Sequence, residues 1–126
     1  MKLNQVTVIA REYDASVAFY RALGLAQIVD APPRYARFEC ENGATLSLHV
    51  DEDAKPGATV VYFELDDLDA SVARLQREGI TFFQQPRDER WLWREARLRD
   101  PTGNVICLYH AGENRRFPPW RLQKRA

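Results

Sequence analysis

The chain has 126 residues, 45% apolar and 29% charged, with a formal net charge of zero, a composition ordinary for a globular domain, so that disorder is not the default expectation. Residues 113–126 hold Arg115, Arg116, Arg121, Lys124 and Arg125 against the acid Glu113, so the rest is net negative; a basic end without a basic folded face argues against nucleic acid as a partner. No apolar run reaches the roughly 20 residues that span a bilayer, and Cys40 and Cys107 lack disulfide or zinc spacing, so the expectation is a cytoplasmic protein without a membrane partner or resident cofactor.

In chain order, Gln5-Val6-Thr7-Val8-Ile9 reads as a strand, rich in β-branched residues. A helix of about ten residues follows, with Asp14 as its expected N-cap, Tyr13, Val17 and Tyr20 as its apolar stripe and Gly24 as its left-handed end. Three extended segments come next, the last two joined at Asn42-Gly43, a strong hairpin signal. The pattern then starts again. Asp14-Ala15-Ser16-Val17-Ala18 returns as Asp69-Ala70-Ser71-Val72-Ala73, and Gly24 returns as Gly79, at the same offset of 55 residues. The second copy has a strand at Val60–Leu65, an expected cap at Asp69, a stripe of Leu68, Val72 and Leu75, and a final turn at Asp100-Pro101-Thr102-Gly103-Asn104. Gly43 and Gly103 lie 60 residues apart, which places an insertion in the second copy, expected in a polar loop at Gln84–Arg90. Trp91 and Trp93 are expected on the strand before Asp100, sharing one face.

The fold class expected is α+β, as two β-α-β-β-β modules in a single domain over residues 1–112, module one spanning 1–57 and module two 58–112. Residues 113–126 form a basic, Pro- and aromatic-containing extension, neither helix nor strand.

Paired modules of this kind, with Glu12-x-x-x-Ser16-x-x-Phe19-Tyr20 entering the first helix and Asp100-Pro101-Thr102-Gly103-Asn104 before the last strand, resemble the vicinal oxygen chelate superfamily. That superfamily includes glyoxalase I, bleomycin-resistance proteins, fosfomycin-resistance enzymes and extradiol dioxygenases. The resemblance covers residues 3 to about 110. It implies that the two sheets pair into a cup-shaped half-open β-barrel with the helices outside, and that the protein is a homodimer.

The resemblance also implies four metal-ligand positions, which fall on Gln5, Ser47, Val60 and Cys107. Valine carries no donor atom, serine and a lone amide are weak ligands, and the usual carboxylates are missing, so no metal is expected. A set of Gln5, His49 and Cys107 is the one conceivable substitute. By strand alternation the inward residues are Gln5, Thr7, Thr45, Ser47, His49, Val60, Tyr62, Cys107 and Tyr109, with Trp91 and Trp93 as a rim or stacking wall. Such a lining suits a small organic ligand with an apolar or aromatic body.

His49 is a candidate general base, or a hydrogen-bonded cavity histidine without chemistry; Cys107 is a candidate nucleophile, or an inert strand cysteine. The leading expectation is therefore a metal-independent, small-molecule-binding protein resembling the glyoxalase and bleomycin-resistance members. The alternatives are a glyoxalase-like lyase or isomerase, or a dioxygenase-type enzyme, with an atypical metal site, and a purely structural dimerisation module.

Overall fold

The structure, a computed structural model, describes residues 1–123. Its elements are β1 (Gln5–Ala10), α1 (Tyr13–Ala22), β2 (Ala26–Ala31), β3 (Tyr35–Glu39), β4 (Thr45–Val50), β5 (Val60–Glu64), α2 (Leu68–Arg77), β6 (Phe82–Asp88), β7 (Arg94–Arg99), β8 (Val105–His110) and a one-turn 3-10 helix at Gly112–Asn114. This is an α+β fold of two β-α-β-β-β modules. Each module builds its own four-stranded sheet, ordered β1-β4-β3-β2 and β5-β8-β7-β6. In the first sheet β1 and β4 run parallel, while β4–β3 and β3–β2 are antiparallel hairpin pairs.

The chain divides into two compact units that do not follow the module boundary. The first contains Met1–Thr59 together with Arg99–Val105; the second contains Val60–Leu98 and the chain from Ile106 on. The first unit's core is Val8, Ala10, Tyr13, Tyr20, Ala36, Phe38, Leu46 and Leu48, with α1 packed on β3 and β4. Tyr20 anchors it, with its ring edge-on to Phe19 and tilted against Phe38. In the second unit Leu68, Val72 and Leu75 of α2 are buried, as are Phe82, Ala96, Leu98, Ile106 and Leu108. That is the expected stripe, and alternation along β7 and β8 supplies its partners.

Both helices end as expected, with Gly24 and Gly79 at positive φ, where a side chain would clash with the backbone. Their starts differ from expectation. Glu12, not Asp14, precedes α1 and makes no side-chain cap bond, while Asp67, not Asp69, caps α2 by accepting from the Ala70 N–H at 3.1 Å. The repeated Asp stands inside the first turn in both copies, where its charge suits the helix dipole. Asp69 instead pairs with Arg94 of β7 at 3.0 Å. On α1 the buried stripe is Tyr13, Ser16 and Tyr20 rather than Tyr13, Val17 and Tyr20, since position 16 faces the sheet more squarely than position 17.

Of the expected loop at Gln84–Arg90, residues 84–88 are strand and only 89 and 90 are loop. Residues 82–88 pair with β7 through two register shifts, and the connection proper is 89–93. The extra residues of the second copy are therefore taken up by bulges and a longer turn. Trp91 and Trp93 lie in that connection and not on a strand, because Leu92 between them adopts φ 68° and breaks the extended run. Of the extension, residues 112–114 are a 3-10 turn, and Phe117 lies under the guanidinium groups of both Arg116 and Arg121. Lys124 and Arg125 lie outside the described residues.

Candidate functional site

The first sheet has one polar face. Cross-strand register aligns Gln5 with Thr45, Thr7 with Ser47 and Ile9 with His49 across β1 and β4. It also aligns Tyr35 with His49 and Arg37 with Ser47 across β3 and β4. Side chains of one parity share a face, so the expected residues Gln5, Thr7, Ser47 and His49 do come together within this sheet. Gln5, Thr7 and His49 are exposed, and Ser47 is fully buried.

Two residues that the sequence reading passed over organise this face. The Tyr35 hydroxyl shares a 2.7 Å hydrogen bond with Ser47 Oγ and accepts from Arg37 Nε at 2.9 Å. The bond from Ser47, and secondarily Arg37 with its positive charge, hold the Tyr35 phenol below its ordinary range. Arg37 is half-buried, with its guanidinium 5.5 Å from the Tyr35 ring centroid.

The second sheet offers a different surface. Trp93 stacks on Tyr109 at 4.6 Å and 16°, and Tyr62 meets both rings edge-on, at 6.0 Å from Trp93 and 5.7 Å from Tyr109. These are the favoured offset and T-shaped aromatic geometries. Val60 and Trp93 pack against the buried set Cys107, Tyr109 and Ala111. Burial, and after it the nearby Glu64 charge, raise the Tyr109 phenol. Trp93 also borders an open recess of about 570 Å³ with Leu92, Arg94 and His110.

Beside the rings lies a buried carboxylate that sequence reasoning also missed. Glu95 is 2% exposed and accepts from Trp91 Nε1 at 2.7 Å, from Arg97 Nη2 at 3.1 Å and from the Cys107 thiol at 3.7 Å. Arg97 in turn sits 5.9 Å from the Tyr62 ring centroid. Trp91 thus serves as a donor to Glu95, not as a face-sharing partner of Trp93. Burial, and then the Glu95 charge, push the Cys107 thiol up to about 12. The sulfur is therefore a protonated, enclosed group, and the inert reading of Cys107 is the one its surroundings support. The signal that finds Arg37, Tyr35, Arg97 and Glu95 is the 60-residue offset of the hairpin glycines, which equates Arg37 with Arg97 and Tyr35 with Glu95.

The metal-ligand positions can be judged unit by unit. Gln5 Oε1 accepts from Thr45 Oγ1 at 2.9 Å and Ser47 Oγ is engaged by Tyr35. Val60 has no donor, and the fully buried Cys107 thiol donates to Glu95. Among the described residues no group of three or more His, Cys, Asp or Glu side chains is placed to hold an ion. This donor set does not fit a divalent metal.

The Asp-Pro-Thr-Gly-Asn turn has a structural role. Asp100 is 4% exposed; its Oδ1 accepts from the backbone N–H of Thr102, Gly103 and Asn104, and its Oδ2 from Tyr20 Oη at 2.7 Å and Asn104 Nδ2 at 2.8 Å. Asn104 Nδ2 also donates to Ile9 O at 2.9 Å, tying the turn to β1 within the first unit. Burial, and after it the Asp100 charge, raise the Tyr20 phenol far above its ordinary range.

Residues 2–108 match the family model of the Glyoxalase/Bleomycin resistance protein/Dioxygenase superfamily. The chain belongs to this superfamily. Its solved relatives include a glyoxalase/bleomycin resistance protein/dioxygenase from Nocardioides, 26% identical over 98% of this chain and 90% of that one, with a TM-score of 0.77. A lactoylglutathione lyase from Agrobacterium tumefaciens is 20% identical over 96% of this chain and 97% of that one, with a TM-score of 0.74. A bleomycin-binding protein complexed with bleomycin is 19% identical over 87% and 98%, with a TM-score of 0.70. At these latter identities the likeness is one of fold, and a superfamily scaffold hosts several chemistries. No curated protein matches the chain. Among the described residues, no helix of this superfamily member is long and apolar enough to cross a membrane.

Proposed function

We propose that this superfamily member binds a small organic molecule without a metal. The observation that carries the reading is the state of the four ligand positions: Gln5 and Ser47 are hydrogen-bonded to neighbouring side chains, Val60 has no donor, and Cys107 is enclosed and hydrogen-bonded to Glu95. Taken separately, the first sheet carries the hydrogen-bonding groups of Ser47, Tyr35 and Arg37, and the second sheet carries the Tyr62, Trp93 and Tyr109 rings, each a surface suited to a small organic molecule. A bleomycin-binding protein of the same fold, solved in complex with bleomycin, supports small-molecule binding as a use of this scaffold. The unpaired cysteines, Cys40 and Cys107, suit a reducing compartment such as the cytoplasm, and a homodimer is the assembly we assign it.

Elemental analysis of the purified protein, with a thermal-shift screen of small molecules in EDTA and in added divalent ions, tests the proposal. Ligands that raise the melting temperature equally in both conditions are expected. Stoichiometric nickel, zinc or iron, or stabilisation that EDTA abolishes, refutes metal independence.

One feature favours a second reading, a proton-transferring lyase or isomerase. His49 stands opposite Tyr35 in the β3–β4 register, beside a phenol held below its ordinary range. It requires turnover that His49→Ala and Tyr35→Phe each abolish while leaving the fold intact.

A further inference from the structure

The two modules allow one arginine to be read against the other. The 60-residue step that relates Gly43 to Gly103 also relates Arg37 to Arg97, Tyr35 to Glu95 and Ser47 to Cys107. Each third strand therefore carries an arginine at the equivalent place, with a different residue two positions earlier.

At Arg97 the counter-charge is internal. Glu95 lies 3.1 Å from its Nη2 and is itself buried. At Arg37 the residue in that place is Tyr35, whose hydroxyl takes only Nε, and a phenol brings no formal charge. Among the described residues no carboxylate pairs with Arg37, Glu39 on its own strand included, and its terminal nitrogens donate to no protein acceptor. Thr7, Ser47 and His49 add hydrogen-bonding groups without negative charge, and Glu39, which shares this face two residues along β3 opposite Thr45, is exposed and does not pair with Arg37.

A half-buried guanidinium gives up part of its hydration, which is unfavourable unless an anion and well-placed acceptors replace it. The Nε bond to Tyr35 orients the guanidinium, 5.5 Å from the ring centroid, so that the fork of Nη1 and Nη2 is presented for a bidentate oxyanion. One guanidinium balances one negative charge, and the duplicated module shows a carboxylate doing so.

We propose that Arg37 anchors the carboxylate of a small organic acid on the first sheet, the ligand's carboxylate taking at Arg37 the place that Glu95 takes at Arg97. This rests on the small-molecule reading above and narrows it to monoanionic ligands.

The test uses matched pairs, benzoate with benzamide and phenylacetate with phenylacetamide, together with inorganic phosphate, titrated into the full chain. Binding is followed by the arginine Nε–H signals in ¹H–¹⁵N spectra and by dissociation constants. Each acid is expected to bind at least about tenfold more tightly than its amide, the size of one charge-assisted hydrogen bond, and to move the Arg37 signal. Arg37→Gln is expected to remove the preference for acid over amide, and Arg37→Lys to keep only part of it because it lacks the fork. Circular dichroism confirms that each variant is folded, and the wild-type spectra stand if one is not.

Acids that bind no better than amides, or an Arg37 signal that no anion moves, overturn the anchor and leave small-molecule binding standing. Phosphate binding more tightly than either acid overturns the carboxylate assignment. Silence from these pairs and from the wider thermal-shift screen overturns the binding reading and the anchor together.

Discussion

Replacing Asp100 by alanine removes the acceptor of five hydrogen bonds from a site that is 4% exposed. Three of the donors are backbone groups of a turn that can partly relax toward water, but Tyr20 Oη is fully buried and has nowhere to turn. A buried donor left unsatisfied costs about 1–3 kcal/mol, and a hydrogen bond to a charged group contributes about 1.5–3 kcal/mol. Tyr20→Phe, which keeps the ring packed on Phe38, is therefore expected to cost about 2 kcal/mol, and Asp100→Ala about 3–5 kcal/mol, a large share of the roughly 5–15 kcal/mol that keeps a domain folded. Urea unfolding of the two single variants and the double variant measures this. With a slope of roughly 1–3 kcal/mol per molar urea, Tyr20→Phe should lower the midpoint by about 1 M. Because the two groups touch, their effects should fall short of additive by at least about 1 kcal/mol. A midpoint unchanged in Tyr20→Phe, or full additivity in the double variant, refutes the argument that this clasp holds the turn.

Cys107 gives a pH dependence. Its thiol ordinarily ionises near 9.0 but is pushed up to about 12 in the folded chain, so between these values the unfolded chain releases a proton that the folded chain retains. The unfolded state then binds fewer protons, and stability is full below about pH 9 and falls as pH rises toward about 12. Wild type should lose more stability than Cys107→Ala between pH 8 and pH 10.5, and parallel losses would contradict the assignment. The same enclosure predicts that a disulfide reagent at pH 8 labels Cys107 only on unfolding; rapid native labelling counts against it. For the helix caps, Asp67→Ala should lower stability by about 1 kcal/mol, while Asp14→Ala should change it by less than about 0.5 kcal/mol; equal effects in urea unfolding would show that the capping assignment is wrong.

The duplicated architecture was legible because its signals are local: β-branched runs, a helical stripe at 68, 72 and 75, and glycines at 24, 43, 79 and 103 whose positive φ a side chain resists. What escaped was set by context. The repeated aspartate looked like a cap, yet one residue of extra helix before it moved capping to position 67. The polar run at 84–88 pairs as strand because bulges absorb its awkward register, and tryptophans two apart imitate a strand until Leu92 turns left-handed. Gln5, Thr7, Ser47 and His49 were found by alternation, which is independent of residue type. Arg37 and Glu95 escaped because they stand at none of the metal-ligand positions, and their meaning lies in a comparison between copies that uses the hairpin offset and not the helix offset.

The turn at 99–105 belongs to the first unit although the strands on either side of it run through the second. A gene cut at the module boundary would therefore not yield two structural halves. The fragment 1–57 would carry Tyr20 and Ile9 without the Asp100 and Asn104 that they bond, and the complementary fragment would present those two side chains with nothing to grip. Seen this way, duplication left the chain with a lock made in one copy and its key in the other, so that the first module reaches its full set of buried hydrogen bonds only when the turn of the second is present.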